Sequence, residues 1–148
     1  MKRTKVQESI NTDTGEVTRI EKTFTYKPKK DEAFYITFLS GANAVFNLSI
    51  PADIKVLSYL CTIAEYNTGM VDFNSIKREG LMKKLNKSSQ SITNSLHRLK
   101  KEHLLAGSRG VFEINPQYFW RGTTDERRSL LKNKKAELVL KFNMEDDK

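Results

Sequence analysis

The chain has 148 residues, 38% hydrophobic and 30% charged, a balance that fits one soluble domain with a modest core and excludes a disordered or fibrous polymer. Its 26 Lys and Arg against 18 Asp and Glu leave a formal charge of +8. No apolar run approaches the ~20 residues of a membrane span, so no membrane partner is expected. The basic start Met1-Lys2-Arg3-Thr4-Lys5 lacks the apolar stretch of a signal peptide. A single cysteine, Cys61, allows neither an internal disulfide nor a multi-cysteine metal site. A reducing cytoplasm is the expected compartment.

Residues 4–26 predict a β-hairpin. Val6 and Ile10 alternate with polar residues, as do Ile20, Phe24 and Tyr26, around the turn signal Thr12-Asp13-Thr14-Gly15. Lys27-Pro28-Lys29-Lys30 reads as a linker, so residues 1–30 form an arm. Asp31 predicts the cap of a helix with an apolar stripe of Phe34, Tyr35, Phe38 and Leu39, ending near Gly41. Residues 42–50 stay apolar without punctuation and set no boundary. Pro51 opens the next helix, where Ile54, Leu57, Leu60, Cys61 and Ala64 share a face that Asn67-Thr68-Gly69 ends. Cys61 on that face reads as a packed thiol, with no basic neighbour in sequence to activate it.

Met70-Val71-Asp72-Phe73 predicts a short strand, and Asn74 or Ser75 starts a helix carrying Ile76, Leu81 and Leu85. Asn86-Lys87 turns the chain, and Ser88 caps a helix whose Ile92, Leu96 and Leu99 form one narrow stripe. Leu104-Leu105-Ala106, Gly107-Ser108-Arg109-Gly110 and Val111-Phe112-Glu113-Ile114 read as strand, turn and strand. Asn115-Pro116 stops that strand. Thr123 with Glu126 makes a capping box for a charged helix of about three turns. Ala136, Leu138, Leu140 and Phe142 alternate as a final strand, and residues 143–148, with Glu145-Asp146-Asp147, predict a frayed tail.

Charge is unevenly spread along these elements. Residues 1–30 carry a net +4, residues 31–75 a net −4, residues 76–110 a net +7, and residues 111–148 a net +1. The basic window is a footprint for a polyanion, against the plainer reading of a solvated lysine-rich face. The pattern inside the window favours the first, and the element order over residues 52–114 is that of a winged helix-turn-helix. The fold class is therefore α+β: a winged helix-turn-helix core at 31–142 with its wing at about 104–114, an N-terminal β-hairpin, and a C-terminal helix plus strand.

In that arrangement the helix near 88–102 leaves Ser89, Gln90, Ser91, Thr93, Asn94, His97, Arg98 and Lys101 facing outward, with Asn94 and Arg98 one turn apart. Asn and Gln can pair with adenine and Arg with guanine, while Ser and Thr near a helix start can hold phosphates. A generic surface helix would be filled with Glu–Lys pairs, yet no acid lies between Ser88 and Lys101. Arg109 at the wing tip suits a phosphate or the minor groove, against the reading of an ordinary turn residue. Lys83, Lys84 and Lys87 suit backbone phosphates.

The stretch Ile114-Asn115-Pro116-Gln117-Tyr118-Phe119-Trp120-Arg121-Gly122 resembles a motif of the form Ile-Asn-Pro-x-x-Phe-Trp-x-Gly, which follows the wing in RepL-type plasmid replication proteins of Gram-positive bacteria. The likeness extends to the Thr14-Gly15-Glu16 hairpin and the helix-turn-helix order. The resemblance implies binding at a plasmid origin and recruitment of host replication proteins. Within the motif, Tyr118-Phe119-Trp120 reads as a plug for the small core with the indole N–H bonded locally. A base-stacking surface for melted DNA is the alternative.

Three function classes remain in view. The first is a sequence-specific binder of double-stranded DNA that initiates plasmid replication without chemistry or cofactor of its own. The second is a winged-helix transcriptional regulator of a plasmid or phage. A homodimer would favour it, although the charged helix at 124–135 offers only Leu130 and Leu131 as an apolar pair. The third is a nicking initiator with a tyrosine nucleophile, which would need histidines gathered around a metal. His97 and His103 are six residues apart on a basic segment and do not share a face, so no enzymatic activity and no metal site are expected. No Walker-type glycine loop supports ATP hydrolysis.

Overall fold

The alternating residues near the start resolve into an antiparallel hairpin. Strand β1 (Lys2–Ile10) pairs with β2 (Val17–Thr25), bringing Ile10 opposite Val17. Asn11 holds the intervening loop: its backbone N–H donates to the Glu16 carbonyl at 2.9 Å, and its side chain accepts from the Asp13 N–H at 3.0 Å. The computed structural model describes residues 2–25 and 33–143. The expected linker at 27–30, the Asp31 cap and the acidic end at 145–147 lie outside the described residues. The chain divides into two compact units, Met1–Ala33 and Phe34–Lys148.

The second unit is a mixed α+β body of winged-helix-like architecture. It opens with β3 (Ile36–Thr37) and α1 (Leu39–Phe46). This corrects the expected helix from Asp31 to Gly41. Residues 36–37 extend because they pair with β7 (Phe119–Trp120), Ile36 opposite Trp120, a non-local bond that no local pattern announces. Phe34 and Leu39 of the supposed stripe are exposed. Gly41 does not end a helix either. It is buried inside α1, where an added Cβ would sit 2.3 Å from the Tyr118 carbonyl oxygen, so its role is close approach.

The central order matches expectation. Helix α2 (Pro51–Ile63), β4 (Met70–Asp72), α3 (Ser75–Leu85), α4 (Ser89–Lys101), β5 (Leu105–Ser108) and β6 (Val111–Ile114) follow in turn. The three strands form one antiparallel sheet in the order β4-β6-β5. Asn74 caps α3 by accepting the Lys77 N–H at 3.0 Å, and Asn86, in the left-handed region, ends it. Ser88 caps α4 through the Ser91 N–H at 3.1 Å. Val56, Leu57, Leu60 and Cys61 of α2 meet Leu81 of α3 and Ile92, Leu96 and Leu99 of α4 over Phe112 and Ile114 of the sheet. Burial pushes the Cys61 thiol up to about 12, consistent with a packed side chain.

Thr123 caps α5 (Thr124–Asn133) as its spacing predicts, accepting the Glu126 N–H at 3.3 Å. The final segment is a helix, α6 (Lys135–Lys141), and not the expected strand. Leu138 and Phe142, at i and i+4, are both buried against Ala106 of the wing, whereas Leu140 is 83% exposed. The alternation is real in the residues, but only its every-other member faces inward, and that period belongs to a helix. Lys141 then reaches Glu113 of β6 at 2.8 Å, and the ring of His103 meets the Phe142 carbonyl at 2.9 Å.

Candidate nucleic-acid interface

The interface is best built from α4 outward. Residues on a helix advance by about 100° each, so Gln90, Asn94, His97 and Lys101 fall within about 60° of one another. All four are exposed. Ile92, Ser95, Leu96 and Leu99 are buried on the opposite side. The Gln90 Nε2 donates to Asn94 Oδ1 at 3.0 Å, which ties the two amides together one turn apart.

The residues flanking this stripe are turned inward. On one side the Arg98 guanidinium reaches back to Asp53 of α2, with Nε donating to Oδ2 at 2.7 Å and Nη2 to Oδ1 at 2.8 Å. Nη2 also lies 3.3 Å from the Ser95 hydroxyl. The Asp53 side chain is 3% exposed and that of Arg98 40%. Burial by itself would raise the Asp53 carboxyl, but the hydrogen bonds from Arg98 and Ser95 and the charge of Arg98 outweigh it and hold the group below its ordinary value. On the other side Arg78 of α3 grips α4. Its Nε donates to the Ser89 hydroxyl at 3.0 Å, its Nη2 to the Ser89 carbonyl at 2.8 Å, and Nη2 also bonds the Thr93 hydroxyl.

Of the residues expected to face a partner, Gln90, Asn94, His97 and Lys101 therefore share a free face. Ser89, Thr93 and Arg98 serve contacts between helices, and Ser91 closes the cap with Ser88, their hydroxyls 3.0 Å apart. Lys83, Lys84 and Lys87 are exposed at the end of α3 and in the turn after it. Arg109 sits at the tip of the wing in the left-handed region, within a two-residue turn closed by Ser108 opposite Val111. Lys100 donates to the Gly107 carbonyl at 2.9 Å and ties the end of α4 to the wing.

The nine-residue motif turns out to be a structural clasp. Buried Asn115 donates from Nδ2 to the His103 carbonyl at 2.8 Å and accepts the Gln117 N–H at 3.0 Å, shaping the turn before β7. Phe119 and Trp120 are buried, and the indole N–H donates to the Thr123 carbonyl at 2.9 Å. Arg121 donates to the Thr62 and Ala64 carbonyls at the end of α2. Gly122 presses on Asn67: a Cβ there would lie 2.2 Å from Asn67 Oδ1 and 2.9 Å from its backbone nitrogen. Arg127 of α5 stacks over Phe38, 3.5 Å from the ring centroid, and donates to the Pro116 carbonyl at 2.7 Å.

A family model for the Firmicute plasmid replication protein, RepL, matches residues 1–144, nearly the whole chain. The chain belongs to the RepL family. It is a plasmid replication protein. Neither a curated protein nor a solved structure matches it. In this RepL chain the motif that carries the likeness is thus explained by packing and backbone bonds. Among the described residues no helix is long and apolar enough to cross a membrane.

Two residues of this candidate interface escape the sequence pattern, Asp53 and Arg78. For Asp53 a signal exists. It stands three, four and seven residues before Val56, Leu57 and Leu60, so a carboxylate occupies the buried face of α2 and requires a cationic partner. Arg78 has no such signal, because its partners lie beyond the turn on another helix.

Proposed function

We propose that this RepL protein binds double-stranded DNA in a sequence-specific way, with α4 in the major groove, as the initiator at its plasmid origin. The observation that supports the reading most is the free face of α4. Four polar residues stand there without an acid among them, on a helix whose other three sides are engaged. The Gln90–Asn94 bond leaves Oε1 of Gln90 as an acceptor and Nδ2 of Asn94 as a donor. Adenine offers the complementary donor and acceptor in the major groove. Lys83, Lys84 and Lys87 lie where backbone phosphates would pass, and Arg109 extends the contact from the wing tip.

The reading assigns the protein no bond-breaking step of its own. Host replication proteins recruited to the bound origin supply the chemistry. The half-buried Tyr118 side chain packs against the core, and the His103 ring is engaged by the Phe142 carbonyl, an arrangement that supports packing roles. Purified protein with supercoiled plasmid and a divalent metal should leave the DNA uncut. Nicking that vanishes in Tyr118→Phe would overturn the non-enzymatic reading.

Footprinting on the replicon that encodes the chain tests the biological role. Protection at the origin is expected. Protection confined to a promoter would assign the same fold to transcriptional regulation.

A further inference from the structure

The free face of α4 is narrow, and a small roll of the helix would swing its amides away from any base they address. Two arginines stand on either flank of that face, and each joins α4 to a different supporting helix. Arg98 locks α4 to α2 through the two oxygens of Asp53. Arg78 locks α4 to α3 through Ser89 and Thr93. A planar guanidinium bonded at two points resists rotation as a single contact does not. Besides these, α4 is held at its end by the bond from Lys100 to the Gly107 carbonyl and along its length by the aliphatic side chains Ile92, Leu96 and Leu99, which fix distance better than roll.

We propose that Asp53–Arg98 and Arg78–Ser89–Thr93 are a pair of clamps that set the roll of α4, so that Arg98 and Arg78 act as positioning residues for the base-reading face and read no base themselves. The inference rests on the DNA-binding reading. It also reassigns the guanidinium that residue type alone would place against guanine. Asp53, buried on α2, becomes a determinant of specificity through Arg98.

The test uses full-length protein and a duplex selected by the wild-type chain from a randomised pool, with a random duplex of the same length for comparison. The variants are Asp53→Asn, Arg98→Ala, the double variant Asp53→Asn/Arg98→Ala, and Arg78→Lys, all compared below their melting temperatures. Clamping predicts that Asp53→Asn and Arg98→Ala each lower the ratio of selected to random affinity by about tenfold, with the double variant losing no more than either single one. Pools selected by the two single variants should relax at the same base positions, those read by Gln90 and Asn94. Arg78→Lys keeps the charge but loses the fork, and should relax the same positions.

If Arg98 reads a base, one position should relax in Arg98→Ala alone, and Asp53→Asn should keep or raise the wild-type ratio by freeing the guanidinium. That outcome overturns the clamp and leaves the DNA-binding reading standing. A wild-type chain that enriches no sequence and shows no salt-dependent binding overturns both. Should Arg98→Ala fail to fold, Asp53→Asn and Arg78→Lys decide the matter, since each leaves a solvated or conservatively replaced group.

Discussion

Gly122 and the Asp53–Arg98 pair show how much a single side chain decides here. At Gly122 a methyl group would collide with both the side chain and the backbone of Asn67, whose Oδ1 accepts the Thr123 N–H at 2.8 Å. The backbone φ of +153° adds strain for any L side chain. Gly122→Ala should therefore destabilise the fold by about 2–3 kcal/mol, read from chemical denaturation, whereas a loss near zero would mean that the loop around Asn67 yields freely. At Asp53 the consequence is one of pH. Its folded value is depressed below the ordinary value of 3.8, so the pair contributes fully above that value and the contribution fades as pH falls through the folded one. Asp53→Asn should flatten the stability curve below about pH 4 relative to the wild type. At neutral pH, Arg98→Ala should cost about 2 kcal/mol, less than a fully buried pair because the guanidinium is partly solvated. An unchanged acid limb in Asp53→Asn would show that other carboxylates govern it.

At the scale of the element, α4 is two things at once. One side belongs to the core and one belongs to a partner, and the two can be separated by substitution. Asn94→Ala removes an exposed amide and no packed atom, so stability should hold while affinity for the selected duplex drops by about 1–3 kcal/mol and affinity for random DNA changes little. Lys84→Ala, at the end of α3, should weaken both duplexes alike and flatten the salt slope by about one. Equal losses on the two duplexes for Asn94→Ala would mean that α4 positions the protein without reading bases. Helix α6 makes the complementary point. Seven residues cannot hold a helix in isolation, and α6 persists through Leu138, Phe142 and the Lys141–Glu113 bond to the back of the wing. The hydrogen bond that Lys141 donates to the Glu113 carboxylate raises the Lys141 ammonium above its ordinary value.

For the molecule as a whole, charge sets the range and strength of the first encounter. The +7 window covers α3, α4 and the first strand and tip of the wing, with the free face on α4 among them, next to a window of net −4 that includes all of α2 and the buried Asp53. If about five phosphates are neutralised, the log–log slope of affinity against salt should be near −4 to −5. A slope near zero in that titration would remove the charge argument. Together with the free face, such a slope would mark a protein that finds DNA by charge and then selects its site by a few side chains.

The sequence by itself determined the α+β class, the order of the winged core, the caps at Ser88 and Thr123, a helix start at Asn74 or Ser75, the turn at Asn86-Lys87, and the family. These are local matters: a cap joins residues three apart, a helical stripe repeats within two turns, and the Ile114–Gly122 motif lies within one short stretch of chain. Tertiary structure alone decided the rest. It made a strand of Ile36–Thr37, because pairing with Phe119–Trp120 outweighs the local helical pattern. It made a helix of Lys135–Lys141, because only one turn-spaced pair found a surface to cover. It also took Arg98, Ser89 and Thr93 away from the expected DNA face. A polar side chain on a helix flank goes to whichever opposite group comes within hydrogen-bond reach, and here those groups, Asp53 and Arg78, are delivered by other helices. Residue type could name the candidates for the interface, but only the packing of α2 and α3 against α4 determined which of them remain free to meet a partner.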